Sequence, residues 1–166
     1  MSSRALVYLP AAMLFLLDRI TKRLIEASVS PFETRVVIPH FFNLVHTRNQ
    51  GAAFGMLADA SSAWRTFFLI AVSGAVLVLV AGFLWRASAP GAAERRALRW
   101  GLSLVLGGAL GNLYDRVVYG GMVTDFLDFH VGEYQWPTFN VADSAITVGA
   151  ALLLVDVWVA RRTAKT

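Results

Sequence analysis

The sequence predicts an all-α membrane protein of four transmembrane helices, with a small extracytoplasmic β-rich segment and a short outer loop, forming one integral membrane domain over residues 1–166. Three observations lead there. Hydrophobic residues make up 57% of the chain and charged residues 16%, where a soluble domain carries about 25% charged; mean hydropathy is +0.57. Four apolar runs approach the roughly 20 residues needed to cross about 30 Å of hydrocarbon. The basic residues flank those runs and are not interleaved with aromatics on a polar face. The net charge of +4 therefore reads as topology signal and lipid-headgroup contact, not as nucleic-acid binding. The chain has no cysteine, which excludes disulfides, thiolate nucleophiles and thiolate-bound metals.

The first helix is expected over 5–25. It starts like a secretory leader, with Arg4 ahead of an apolar run, but ends in "LDRITKR" with no small-residue cleavage site, so it reads as a retained span. The outer segment 34–54, "TRVVIPHFFNLVHTRNQGAAF", is rich in β-branched and aromatic residues and is punctuated by Pro39 and Gly51, as in a short strand or hairpin. The second helix, 64–85, is bracketed by Trp64 and Trp85; at 1.5 Å per residue they stand about 31 Å apart, one ring for each interface. The third is expected over 98–118 and the fourth over 142–160. Between the third and fourth, "HVGEYQWPTF" (130–139) is an aromatic loop suited to an interface.

Orientation follows from loop charge. The loop 86–99 holds four Arg and the tail "ARRTAKT" three more positive charges, whereas 27–63 holds only Arg35 and Arg48. Both termini are thus expected in the cytoplasm, with the two longer segments outside. Arg19, Lys22, Arg23, Arg65 and Arg116 lie near the outer helix ends and nearly balance a raw count, so loop density decides.

Ionisable residues inside membrane spans are costly and mark function or buried pairing. Asp18 and Lys22 are one turn apart, in the order that favours an intrahelical ion pair. "GGALGNLYDR" (107–116) places a Gly107-x-x-x-Gly111 packing stripe directly before Asn112, Asp115 and Arg116; it reads either as a packed helix closed by an Asp115–Arg116 pair or as support for a site. "MVTDF" (122–126) puts Asp125 in a short connector. "FNVADSAITVGAALLLV" (139–155) puts Asn140 and Asp143 at the threshold of the fourth span. A helix cap is the plain reading of that Asp. Yet Asp125 and Asp143 fall at the same outer membrane face, with Asn112 and Asn140 near. Two carboxylates in a partly desolvated pocket cannot both ionise cheaply, so one keeps a proton. That asymmetry is what an aspartic protease uses to activate water. There is no G-x-S-x-G and no H-E-x-x-H. His40, His46 and His130 lack ligand spacing and read as polar surface or interface residues.

In this order, "DRITK" (18–22), "NQGAAF" (49–54), "GGALGNLYDR", "VTDF" (123–126) and "FNVADS" (139–144) resemble the signature blocks of lipoprotein signal peptidase, or signal peptidase II. The resemblance implies a bacterial inner-membrane aspartic endopeptidase that cuts prolipoproteins before a diacylglyceryl-modified Cys, with Asp125 and Asp143 as the catalytic pair. It assigns substrate-holding or supporting positions to Asn49, Gly51, Asn112, Asp115, Arg116, Asn140, Asp18 and Lys22. It also implies globomycin-type inhibitors. Membrane lipids are expected partners from the flanking basic residues, four helices with an outer cap can function as a monomer, and no metal or organic cofactor is indicated. Two other classes stay in play. A transporter or proton channel could use Asp18, Asp115 and Asp143 as a relay, but helix two offers no protonatable group between Arg65 and Arg86. A scaffold would use its polar residues only to bind helices.

Overall fold

The computed structural model describes residues 5–31, 33–51, 62–92 and 95–163. In chain order these form a 3-10 turn (Ala5–Tyr8), α1 (Leu9–Ser28), β1 (Thr34–Ile38), β2 (Phe42–Asn49), α2 (Ser62–Ala87), α3 (Arg96–Val118), β3 (Val123–Val131), β4 (Tyr134–Gln135) and α4 (Val141–Thr163). Helix α1 begins at Leu9 because Pro10 occupies its first turn, where a fixed φ and a missing N–H do no harm. It closes when Val29 becomes extended and returns its N–H to the Ile25 carbonyl.

The all-α expectation needs correcting. The strands make a four-stranded antiparallel sheet in the order β1-β2-β3-β4. "VTDF" is not a connector but the start of the nine-residue strand β3. Its Val, Thr and Phe residues are strand formers; Asp125, read as a turn residue, hid the strand. β2 pairs with β3 in the register Thr47↔Asp125, Arg48↔Thr124 and Asn49↔Val123, after an irregularity between Leu44 and Thr47. The chain then returns along β3. The Phe139 carbonyl accepts the N–H groups of Phe126 (3.0 Å) and Leu127 (2.8 Å), and its N–H donates to the Leu127 carbonyl (3.1 Å). That return lays Asn140 beside Asp125.

Helix α3 is central because its glycines point two ways. A Cβ on Gly107 would lie 2.6 Å from the Ala11 carbonyl, and one on Gly111 2.4 Å from Asp18 Oδ2, so this row seats α1. A Cβ on Gly108 would lie 2.4 Å from the Ala142 carbonyl, and one on Gly101 2.9 Å from that of Gly149, so the other row seats α4. No side chain fits at such distances, which is how small residues let membrane helices approach. Helix α2 closes the bundle through Leu77 and Leu84 against Leu102, Leu106 and Ala11. Much of its remaining surface is exposed hydrocarbon: Val78 is 74% exposed, as Leu154 of α4 is 71%. Over Ala63–Ala87 and Val141–Arg162 the chain is long and apolar enough to cross a membrane. Helices α1 and α3, 20 and 23 residues long, carry Asp18, Arg19, Lys22, Asp115 and Arg116 within their length. The sheet sits on the end of α1, where Phe126 packs on Ile25 and Val29.

Candidate active site

The site grows from one fully buried cation. Lys22 carries only donors: its ammonium lies 2.9 Å from both Asp18 Oδ2 and Asp115 Oδ2 as ion pairs and donates a hydrogen bond to Asn112 Oδ1 (3.1 Å). The expected Asp18–Lys22 pair therefore forms, but as part of a larger cluster. Asp115 also pairs with Arg19 and accepts the Thr124 N–H at 3.1 Å. Of the two readings of this helix end, the closing Asp115–Arg116 pair does not form: Asp115 turns into the cluster, and Arg116 is left with a buried Nε that meets no partner among the described residues. Lone charges in such a place would be prohibitive, so the cluster balances two carboxylates against two cations.

The cluster fixes an amide. Because Lys22 can only donate, Asn112 must present Oδ1 to it, which aims Nδ2 at Asp143 Oδ1, 2.7 Å away. Asp143 is also the third residue of α4. Its backbone N–H donates to Asn140 Oδ1 (2.9 Å), and its Oδ2 accepts the Asn140 N–H (3.3 Å). This reciprocal pair is a capping box, with Asn140 as the cap and Asp143 answering it. Capping uses one carboxylate oxygen and leaves the other for Asn112. Asp18 completes the helix start by accepting the Ala142 N–H at 3.0 Å.

Asn140 joins the second carboxylate. Its Nδ2 donates to Asp125 Oδ1 (2.7 Å) and is shared with the Thr124 carbonyl (3.2 Å) and Asn112 Oδ1 (3.3 Å). Asn49 Nδ2 donates to Asp125 Oδ2 (3.0 Å), held there because Asn49 Oδ1 accepts the Gly51 N–H (2.9 Å). Gly51 sits at φ +72, and a Cβ there would meet Leu69 Cδ1 at 2.9 Å. Asp125 is 1% exposed. Burial lifts its pKa from the usual 3.8 to about 6; the Asn49 hydrogen bond opposes the rise and the Asp143 charge adds to it.

All ten residues expected to act or support lie in this neighbourhood; Ala52, Ala53 and Phe54 of "NQGAAF" fall outside the described residues. Three others were missed. Arg19 braces Asp115 and stacks on Tyr114, 4.3 Å from the ring centre. Thr124 precedes Asp125 and is held at both its N–H and its carbonyl. Glu26 reaches Thr124 Oγ1; its spacing from Lys22 and Asp18, four and eight residues, was the available signal, since all three share one helix face. His46 is not a surface residue as expected but is buried, its Nδ1 donating to the Val29 carbonyl at 3.0 Å.

The sequence profile described as signal peptidase (SPase) II matches residues 10–159, from the first turn of α1 to about one turn short of the end of α4. The chain belongs to the signal peptidase II family. A lipoprotein signal peptidase of Solibacter usitatus is 51% identical over 154 residues, 93% of this chain and 91% of that protein. One of Cupriavidus taiwanensis is 46% identical over 156 residues, covering 93% and 84%. A solved structure described as a bacterial membrane enzyme superposes with a TM-score of 0.76 at 31% identity, over 92% of each chain. The buried cluster, both Asn-bound carboxylates and the capping box all fall inside the stretch matched to signal peptidase II.

Proposed function

We propose that this chain is an aspartic endopeptidase of the bacterial inner membrane that removes the signal peptide from diacylglyceryl-modified prolipoproteins, cutting before the lipidated Cys. The observation that carries the reading is Asn140, whose side chain bonds Asp125 with its nitrogen while its backbone and oxygen engage Asp143. One residue thus holds two carboxyl groups from different elements in a single polar pocket. Family membership supports the peptide-cleaving class, and the names of the relatives support the prolipoprotein substrate.

Asp125, with its lifted pKa, is the member of the pair that takes the proton more readily, and in that form it donates it to the scissile carbonyl oxygen. Asp143, at the positive end of α4, takes a proton from water as the water oxygen bonds to the carbonyl carbon. The gem-diol collapses when Asp143 passes its proton to the amide nitrogen of the Cys residue and a gem-diol hydroxyl gives one back to Asp125; the C–N bond breaks, a carboxylic acid and an amine leave, and the pair again holds one proton. Arg116, with its unpartnered Nε, holds a substrate backbone carbonyl. Asn49 and Asn112 keep the carboxyl groups turned toward the bond, and Asp18, Lys22 and Asp115 keep Asn112 turned. No metal or cofactor takes part.

All four helices cross the membrane in this reading, as one domain and a monomer, with both termini cytoplasmic and the sheet outside. Helices α1 and α3 tolerate Asp18, Arg19, Lys22 and Asp115 because these face one another in the cluster and not lipid. The acyl chains of the substrate lie in the bilayer beside the helices, which leaves the scissile bond at headgroup depth. Segment 34–51 and the residues before Phe139 form platform and lid, and globomycin-type inhibitors bind between the carboxyl groups. The deciding experiment is cleavage of a diacylglyceryl-modified prolipoprotein by the purified chain beside Asp125→Asn and Asp143→Asn. Both folded variants should lose several orders of magnitude in kcat/KM. Near-parent activity in either one removes that residue from the catalytic pair and leaves it a cap or strand residue.

A further inference from the structure

Glu26 is a titratable side chain that the mechanism above does not use, yet it gathers four donors from four places. Oε1 accepts from Arg48 Nη2 (3.3 Å) and Thr124 Oγ1 (3.1 Å); Oε2 accepts from the Tyr119 hydroxyl (3.1 Å) and Arg23 Nη1 (3.3 Å). The Glu26 side chain is 12% exposed, and the Arg48 guanidinium lies 3.6 Å over the Tyr119 ring. Two of these partners matter most, because Arg48 and Thr124 face each other across β2 and β3. Each is the chain neighbour of a site residue: Arg48 precedes Asn49, and Thr124 precedes Asp125. Asn49 Nδ2 reaches Asp125 Oδ2 diagonally across that same pair of strands.

We infer that Glu26 is a positioning residue for the Asp125 side of the pair, clamping the Arg48–Thr124 rung so that Asn49 and Asp125 meet at hydrogen-bonding distance. Thr124 is then held at three points. Its N–H goes to Asp115 (3.1 Å), its carbonyl takes Asn140 Nδ2 (3.2 Å), and its hydroxyl goes to Glu26 (3.1 Å). The first two belong to the buried cluster; the third ties the strand to the outer end of α1. A register irregularity disrupts the ladder locally and leaves the strand to bend or twist there, and a displacement of about 1 Å at a catalytic group costs around 100-fold in rate. The clamp removes that freedom without touching substrate. The inference rests on the reading of Asp125 as catalytic.

The test is steady-state cleavage of the lipid-modified prolipoprotein by the full chain carrying Thr124→Val, Thr124→Ser, Glu26→Gln, and Glu26→Gln with Thr124→Val, beside Asp125→Asn. Val keeps the shape of Thr and removes only the hydroxyl. Losing one hydrogen bond to a charged group should lower kcat about tenfold or more in Thr124→Val. KM should stay within about twofold and the melting temperature near the parent's. Thr124→Ser should restore kcat. The double variant should fall no further than the weaker single variant, because both changes break one link. If Thr124→Val turns over like the parent, or if the two losses multiply, the clamp is overturned. Should Glu26→Gln fail to fold, the Val and Ser pair alone decides. An Asp125→Asn variant that stays active overturns the catalytic reading itself; an inactive one beside an active Thr124→Val overturns the clamp alone.

Discussion

Among single residues, the decisive quantity is how cheaply Asp125 holds a proton. Its folded pKa of about 6 stands above the ordinary 3.8, so the native state binds that proton more tightly than the unfolded chain does. The associated stability is fully present below about pH 4 and is lost as pH rises through about 6. The difference amounts to roughly 3 kcal/mol, at 1.36 kcal/mol per pKa unit. Asp125→Asn is neutral throughout. Its stability relative to the parent should therefore climb by about that amount between pH 4 and 7 and stay level above, measured by denaturant unfolding in detergent. A difference that stays flat with pH would show that the carboxyl group ionises as freely as one in water. The sequence already grouped Asp125 with Asp143; it could not show Asp125 to be nearly sealed, since that depends on Asn140 arriving from the return along β3.

Among the helices, the spacing of glycines in α3 sets which of them can approach. Gly108→Ala would drive a Cβ to 2.4 Å from the Ala142 carbonyl, and Gly111→Ala to 2.4 Å from Asp18 Oδ2. Overpacking of this kind costs about 1–3 kcal/mol, and both variants should melt earlier. Gly111→Ala should also lose activity, because it pushes on the cluster that orients Asn112. At Gly82 of α2, a methyl group would meet nothing within 4 Å. Gly82→Ala should leave the melting temperature unchanged or raise it, as Ala favours helix by about 1 kcal/mol over Gly. Equal losses at all three positions would mean that close approach is not what these glycines provide. The Gly107–Gly111 stripe was legible in the sequence. Its companion row at Gly101 and Gly108 was not, because a row facing a second helix has meaning only once that helix has a place.

Across the whole molecule, charge is sorted by end. Arg86, Arg95, Arg96, Arg161 and Arg162 are exposed at the ends of α2, α3 and α4 far from the sheet, and Arg95 pairs with the buried Asp156. The turn between β3 and β4, with Gly132 and Glu133, lies at the other extreme. The chain has no cysteine, so a single introduced thiol reports without background. In intact spheroplasts a membrane-impermeant maleimide should label Glu133→Cys at once and Arg162→Cys only after permeabilisation. Labelling of both from outside would contradict the four-span topology.

Spacing along the chain was enough for four helices of nearly the right extent, the β1–β2 hairpin, one glycine stripe, and the polar blocks that align with signal peptidase II. The choice of partners waited for the packed molecule. Asp115 chose Arg19 and Lys22 over its neighbour Arg116, His46 turned inward, and "VTDF" became a strand. Local rules weigh a carboxylate against its own helix or turn, whereas in a desolvated interior it must be matched by whatever cation and amide the fold brings within about 3 Å. That partner lies 96 residues away for Asp115 and Arg19, and 124 for Asp18 and the Ala142 N–H. No spacing along the chain encodes such a meeting; packing does.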